Sequence, residues 1–507
     1  MIYQKNMLKK CIGYVLIIVS VVVLIFMAAQ TVTDDIWYDE VFSLCFIKGG
    51  IGELIKLTAR DVHPPFYYIY LKIMVAIIGL IPGVGLVTAA KLASVIPGVG
   101  LLIIALTYIR KRFGHLAMGL FSWLVICMPQ IGNYYVEIRM YSLALLMITG
   151  AGLLALSIIQ EGSRNWKWVI LWLLGILTAY TQYYACIGIV GVYASLLIMI
   201  LVGDKGDRKS LTWRLLICVV ASVVIYIPWL PTLLRQATTV NGSYWIQPLT
   251  IRSIAGCIKF ITLPVAPYGA MCYIAAGLVI AAIGLMIILN LIKRRDKELI
   301  NLLTIGFIPL AVIILSGFVL SIIGTPIFVY RYMVPALGLM WLVVSILVDR
   351  MWEDNLVYFI ASFIAIMIFA FAGKLSVKGF YLEEHKKVLF MEDTKAALEA
   401  LEDDAVLICN FDHVASVIGY RMDNRVCLYE ADIDGLILDM LHGTGEFVSD
   451  EDVAAIVRDN PHVYFLGSFN SRDEILDKWN EQGITGSEQA SVLLERYWFN
   501  IYKLGME

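Results

Sequence analysis

Residues 33–68 read TDDIWYDEVFSLCFIKGGIGELIKLTARDVHPPFYY. The stretch follows one very apolar run, residues 11–30, and precedes a long series of others. It holds six acids, Asp34, Asp35, Asp39, Glu40, Glu53 and Asp61, together with His63 and the pair Pro64-Pro65. Charge gathered between apolar runs of spanning length predicts a membrane protein with polar chemistry at one face of the bilayer.

The chain has 507 residues, of which 60% are hydrophobic and only 16% charged, with a mean hydropathy of +0.80. A soluble domain is nearer half apolar and a quarter charged. The runs exceed roughly 18 residues and are too long and continuous for barrel strands, so they predict an α-helical polytopic membrane protein. Lys5, Lys9 and Lys10 precede the first run, and no small-x-small cleavage site follows it convincingly. The run reads as an uncleaved first span with a cytoplasmic N-terminus, which places residues 33–68 outside.

The run 66–80 is short and ends in IPGVG; the next, 88–109, ends in Arg110-Lys111-Arg112. If both crossed, that triplet would lie outside, against the preference for cations on the cytoplasmic side. Residues 66–80 are therefore expected to lie shallow or re-enter on the outer side. The remaining runs then alternate as about 11 transmembrane helices: 11–30, 88–109, 115–130, 140–160, 166–183, 185–202, 213–230, 267–292, 299–320, 332–348 and 355–373. Of the Lys and Arg in this half, 17 fall inside and 10 outside. The expected division is a membrane domain, 1–373, with a first extracytoplasmic loop over 31–87, and a tail, 374–507.

The tail carries 26 of the 41 acids but 12 of the 39 basic residues. It lacks the basic patch of a nucleic-acid binder. Short β-rich runs at 405–411, 425–430, 463–469 and 496–504 alternate with helical stretches at 392–401, 449–458 and 471–481, which predicts a soluble α/β domain. It shows no Gly-rich phosphate loop and no nucleophile elbow. Asp412-His413 reads as a structural pair, and Cys409 and Cys427 are candidates to bridge if the tail is extracytoplasmic. In the loop before 267, IRSIAGCIKF reads as an interfacial helix or a plain connector. Asn241-Gly-Ser243 matches a glycosylation pattern short enough to arise by chance.

On this topology the membrane half exposes seven acids outside: Asp34, Asp35, Asp39, Glu40, Glu53, Asp61 and Glu137. Asp39 and Glu40 stand in WYDEVFSL, between an aromatic pair and an apolar helix start. Apolar neighbours raise a carboxyl's pKa and cations lower it, and a general base near neutrality needs that balance. The alternative is capping, with Asp39 at the start of a helix from Glu40. In Asp61-x-His63-Pro64-Pro65 the prolines stiffen the chain and start a helix at Phe66. His63 there suits donation to a phosphate or orientation of a carboxylate. No HxxxH or paired-Cys spacing marks a zinc site. In YYVEIRMYSL, Glu137, Arg139 and Tyr141 lie at a membrane boundary, where an Arg fork suits an oxyanion and Tyr also serves as interfacial anchor. Arg331, in Tyr330-Arg331-Tyr332, adds a cation to the same face. Lys91 reads as an anchor, and YTQYYA (180–185) as a polar aromatic turn.

The order WYDE, DVHPPFYY, ExRMY, QYY, RYMVPALG resembles the bacterial branch of the C-type membrane glycosyltransferases, which includes protein O-mannosyltransferase-like enzymes and aminoarabinose transferases. The resemblance covers about residues 11–350, and the tail matches none of its motifs. It implies a C-type glycosyltransferase fold, a polyprenyl-phosphate sugar donor, and transfer to a glycan, lipid or protein acceptor outside the cell membrane. It implies Asp39 as catalytic acid/base group with Glu40 beside it, and Asp61, His63, Glu137, Arg139, Tyr141 and Arg331 around the donor and its phosphate. The reaction would invert the anomeric carbon in one displacement. No cofactor is required; a divalent metal is optional. Two other functions use part of this pattern: a flippase or transporter of a lipid-linked sugar, which would place polar groups at mid-membrane, and a non-catalytic envelope assembly protein with the tail as binding module.

Overall fold

The computed structural model describes residues 2–33, 35–203, 205–239, 246–265, 269–293, 296–352, 356–429, 445–468, 471–494 and 497–507. Asp34 and Asn241-Gly-Ser243 lie outside the described residues. The chain divides into two compact units, Met1–Val32 with Asp61–Leu382, and Thr33–Arg60 with Glu383–Glu507. Composition places the boundary at 373/374; the second unit resumes at Glu383 and also takes in Thr33–Arg60, about half of the first loop.

The first unit is helical. Among the described residues, nine helices have the length and apolarity to cross a membrane: Gln4–Thr31, Leu86–Phe113, Tyr141–Gln160, Tyr183–Val202, Lys205–Thr238, Ala270–Lys293, Lys297–Ile323, Tyr330–Met351 and Leu356–Glu399. Two shorter apolar helices, His115–Cys127 and Asn165–Ala179, occupy the other runs expected to span, and Phe66–Ile78 is a third. The protein is a multi-pass membrane protein. The helix Leu356–Glu399 is continuous for 44 residues. Sequence reading broke it into a span ending at 373 and a helix over 392–401. The change at 374 is one of polarity: Gly373 and Gly379 fall inside the helix without ending it, no Pro follows, and EEHKKVLFMEDTKAALE beyond them is rich in strong helix formers, so the backbone hydrogen-bond ladder continues.

Between membrane helices the apolar environment gives no drive to associate, and close backbone contact takes its place. Gly13 and Gly119 provide it. A Cβ on Gly13 would come within 2.1 Å of the His115 carbonyl oxygen, and one on Gly119 within 2.1 Å of the Gly13 carbonyl oxygen. Gly191 also lies close on Pro309, whose Cα would be 2.6 Å from an added Cβ. Tyr330–Met351 and Tyr141–Gln160 are buried along most of their length, while Val15, Ile18, Val22 and Ile25 of the first helix point outward.

The charges sort to two ends. Lys9 pairs with Asp349 at 3.0 Å, and Asp349 also accepts from the Ala117 amide at 3.3 Å. Next to it Arg350 pairs with Asp296 at 2.7 Å and with Glu298 at 3.9 Å. Arg112 reaches Glu298 at 4.0 Å and Glu161 at 3.5 Å. Lys9 opens one long helix and Arg112 closes the next long one, so both helices have these ends together. The chain between Thr31 and Leu86 therefore leaves and returns at the opposite end. Phe66–Ile78, at 13 residues, is about 20 Å long, well short of a hydrocarbon core of about 30 Å. It packs back on the following helix, where the Tyr70 hydroxyl donates to the Ala93 carbonyl at 2.8 Å.

The second unit is built on a six-stranded sheet of β1 (Val406–Cys409), β2 (Arg425–Tyr429), β3 (Gly445–Val448), β4 (Val463–Ser468), β5 (Ile484–Leu494) and β6 (Tyr497–Met506). Their order is β3-β2-β1-β4-β6-β5, parallel from β3 to β4 and antiparallel through β6 and β5. Helices Asp412–Arg421, Asp450–Asp459 and Ser471–Asn480 connect the strands. Burial of both faces of β1, β2 and β4 explains why these strands read as apolar runs. Ile408, Cys427, Phe465 and Trp479 share one core. Cys427 lies opposite Ile408 in the register, and Cys409 opposite Leu428. A one-residue offset puts the two thiols on opposite faces of the sheet, so they form no bridge, and both are free.

Candidate active site

In the first unit, the end opposite Lys9 and Arg112 gathers the motifs DVHPPFYY, ExRMY, QYY and RYMVPALG. Pro65 caps Phe66–Ile78, and the stiff Pro64-Pro65 pair holds the residues just before it. His63 Nδ1 lies 3.0 Å from Asp61 Oδ2, and its Nε2 lies 3.3 Å from an Arg139 Nη. Arginine only donates, so Nε2 accepts and Nδ1 carries the proton toward Asp61. Asp61, His63 and Arg139 thus form one polarised chain, nearly buried, with Arg139 only 4% exposed. The Phe66 amide donates to the Tyr180 carbonyl at 2.9 Å, which ties this corner to the 180–185 turn.

Arg139 is delivered by a tight turn: its amide donates to the Glu137 carbonyl at 2.7 Å just before Tyr141–Gln160 begins. Tyr135 in the same segment is structural, its hydroxyl donating to the Val125 carbonyl at 2.9 Å. Tyr141 is fully buried, packed edge-on by Tyr134 with ring centroids 4.8 Å apart. The Arg331 guanidinium lies 5.9 Å from the Tyr141 ring centre, within cation–π range. Tyr332, the next residue, stacks on Tyr184 at 4.3 Å. Five separated stretches, 61–66, 134–141, 180–184, 229–236 and 328–332, therefore converge; the fourth enters through Tyr183, bonded to both Gln236 and Trp229.

Two further members, Lys91 and Gln182 of the 180–185 turn, carry no individual site role in the sequence reading. Lys91, expected as an interfacial anchor, is instead 6% exposed. It lies one turn before Ser94, the neighbour of Tyr67, whose phenol also feels Arg139. A cation near a helix start reads as an anchor until the packing around it is known. Gln182 is 2% exposed, and neither atom of its amide has a hydrogen-bond partner. An unsatisfied buried amide is costly, of the order of 1–3 kcal/mol, so it marks a place where a ligand is expected to complete the bonding.

Asp39 and Glu40 belong to the second unit. Their helix, Tyr38–Phe46, starts two residues earlier than a cap at Asp39 would require. The buried Glu40 carboxylate accepts from the Trp37 amide at 3.2 Å and so closes the first turn. Asp39 is left one position inside that turn, where the helix dipole favours its anion. Asp35 pairs with Arg421 at 3.7 Å, and Glu53 stands in the first turn of Ile51–Arg60. Among the described residues, no three His, Cys, Asp or Glu side chains group closely enough to hold a metal ion.

No family model and no curated protein matches the sequence. Solved structures do match. The crystal structure of ArnT from Cupriavidus metallidurans bound to undecaprenyl phosphate aligns over 97% of both chains, with a TM-score of 0.60 and 12% identity. The apo structure of the same protein aligns over 97% of this chain and 98% of that one, with a TM-score of 0.59 and 13% identity. The likeness runs through the tail as well as the membrane helices, and on it the chain has the C-type glycosyltransferase fold that its motifs led one to expect.

Proposed function

We propose that this protein transfers a sugar from a polyprenyl-phosphate donor to an extracytoplasmic glycan, lipid or protein acceptor. The observation that carries the reading is the convergence of Arg139, Arg331 and Lys91 with the Asp61–His63 pair at one end of a helical unit. That unit has the fold of a protein crystallised with undecaprenyl phosphate. A lipid phosphate needs cations at membrane depth, and a sugar needs aromatic faces and hydrogen bonds beside them. Arg139, oriented through His63 by Asp61, grips the phosphate oxygens. Arg331 supports the same charge from across Tyr141. Gln182 and the Tyr184–Tyr332 stack face the sugar, and Glu137 borders the entrance.

Asp39 is the base. It takes the proton from the acceptor hydroxyl or amine as that atom forms its bond to the anomeric carbon. The bond from that carbon to the phosphate oxygen breaks at the same time, and polyprenyl phosphate departs with the electron pair. Attack opposite the leaving group inverts the centre. The leaving group is already a stabilised anion, so the arginines can support its departure and a divalent metal is optional. The excess of Lys and Arg on the Lys9 side, 17 against 10, supports a cytoplasmic N-terminus and an extracytoplasmic site and tail.

The test is Asp39→Asn in membranes supplied with undecaprenyl-phosphate hexoses and pentoses, with release of undecaprenyl phosphate as readout. The variant should insert normally and lose turnover. Wild-type turnover in Asp39→Asn would remove Asp39 from the mechanism, and mass spectrometry of envelope glycans after deletion identifies the sugar.

A further inference from the structure

The residue before Asp39 is fixed by the tail. The Tyr38 hydroxyl donates to Asp412 Oδ2 at 2.9 Å, and its ring stacks on the His413 imidazole at 3.8 Å and 6°. Phe411 also lies parallel to that imidazole, at 4.7 Å and 9°. Further along, Lys48 sits 4.9 Å over the Tyr420 ring and Asp35 pairs with Arg421. Burial pushes the Tyr420 phenol up to about 12, with the Cys45 thiol beside it. The helix Asp412–Arg421 thus grips the 35–48 segment at both of its own ends, through Asp412 and His413 at one and Tyr420 and Arg421 at the other.

Ordinary packing would be satisfied by apolar contact. Here the first turn of the Asp39 helix is held by an oriented hydrogen bond to a carboxylate and by a ring stack, which together fix rotation about the helix axis as well as its position. Within a helix turn, rotation of Tyr38 sets the direction of Asp39 directly. A base must hold its place to within about half an ångström, and a displacement of about 1 Å can cost on the order of 10²-fold in rate.

We propose that Asp412 and His413 are positioning residues for Asp39, and that this is the task of the C-terminal domain in the transfer reaction. The inference rests on Asp39 being the base. It also gives Asp412-His413, a structural pair on sequence grounds, a part in the reaction.

Three variants of the full-length protein in lipid nanodiscs test it. His413→Ala removes the stack; His413→Phe restores a flat ring; Tyr38→Phe keeps the ring and loses the bond to Asp412. Hydrogen exchange at residues 38–46 should be faster in His413→Ala and return to the wild-type rate in His413→Phe. Turnover of undecaprenyl-phosphate hexoses should fall about 10²-fold in kcat for His413→Ala, with KM for the donor within about twofold. It should recover in His413→Phe and fall less in Tyr38→Phe. A merely structural role would instead lower the melting temperature and the amount of active protein with kcat per folded molecule unchanged, and that result overturns the proposal. If His413→Ala does not accumulate, Tyr38→Phe decides alone: unchanged kcat and unchanged exchange refute the positioning role. The exchange readout needs no substrate. Loosened exchange with normal turnover in Asp39→Asn would therefore point to failure of the base assignment and not of the docking.

Discussion

Replacing Arg139 tests the polarised chain most directly. In Arg139→Ala two things are lost together. A ligand phosphate loses a two-pronged cationic donor, and His63 Nε2 loses the donor 3.3 Å away that fixes its tautomer. A hydrogen bond to a charged group contributes about 1.5–3 kcal/mol. One phosphate contact plus the lost orientation of His63 therefore amounts to about 3 kcal/mol, or roughly 150-fold in donor affinity. Arg139→Lys keeps the charge and gives up the fork, so it should fall between, near tenfold. Because Arg139 is only 4% exposed, water cannot replace the missing donor well, and the loss should persist at high salt. The measurement is equilibrium binding of undecaprenyl phosphate to the nanodisc protein at low and high ionic strength. Binding by Arg139→Ala within twofold of wild type, at either salt concentration, would refute the assignment of the phosphate to this corner.

Gln182→Ala should leave the melting temperature unchanged or slightly higher, since it deletes an unsatisfied buried amide, while kcat/KM falls about tenfold; a drop in stability with turnover intact would make Gln182 structural. Gly119→Ala should destabilise by about 1–3 kcal/mol in detergent thermal melts, because its Cβ meets the Gly13 backbone. Gly284→Ala, whose Cβ meets nothing within 4 Å, is the matched control and should be neutral or mildly stabilising. In the tail, the Tyr464 hydroxyl bond, the Glu402 backbone, and the nearby His462 and Lys503 hold the Glu402 carboxyl at about 2, below its usual 4.5. The folded value is the lower one, so its stabilisation is complete above pH 4.5 and is lost as the pH falls toward 2. Acid unfolding followed by tail tryptophan fluorescence should begin at higher pH in Tyr464→Phe, and coincident curves would show that this bond does not hold the carboxylate.

Chemistry was legible in the sequence where residue type alone restricts the choice. Two prolines fix where the 66–78 helix starts, and an arginine at the head of an apolar run serves either as an interfacial anchor or as a partner for an anion. Asp61, His63, Arg139 and Arg331 stand out in the sequence for those reasons, and the fold brings them to one end of the first unit. What escaped depended on side chains choosing partners. A glutamate three residues after Trp37 caps the turn with its own carboxylate, and nothing in WYDE distinguishes that from a second catalytic acid. Lys91 is buried on the same helix as Ser94, which meets Tyr67 of the preceding helix, and that packing between helices has no local sequence signal. Cys409 and Cys427 are kept apart by one residue of strand register, a quantity with no local sequence signal. The Tyr38–Asp412 bond joins residues 374 positions apart through a phenol and a carboxylate that also look ordinary in isolation.

The short helix after His63 gives a sharper test of how the chain is threaded. Lys9 and Arg112 are held in one cluster through Asp349, Arg350 and Glu298, so the helices Gln4–Thr31 and Leu86–Phe113 point in opposite directions. One crossing between Thr31 and Leu86 would make them parallel and would pull Arg112 about 30 Å from Lys9. Phe66–Ile78 must then begin and end on the same side. Exposed Leu80 and Ile81, in the turn beyond it, belong with Asp61 and not with Arg112. Single cysteines at Leu80, Gly83 and Glu53 should react with a membrane-impermeant maleimide from the same side of intact spheroplasts. A cysteine at Lys111 should react only after the membrane is opened. Native Cys11, exposed near Lys9, is replaced first so that it does not mask the result. Labelling at Leu80 and Gly83 that follows Lys111 instead of Glu53 would mean that the segment crosses. The Lys9–Asp349 and Arg112–Glu298 pairs could then not both exist in one molecule.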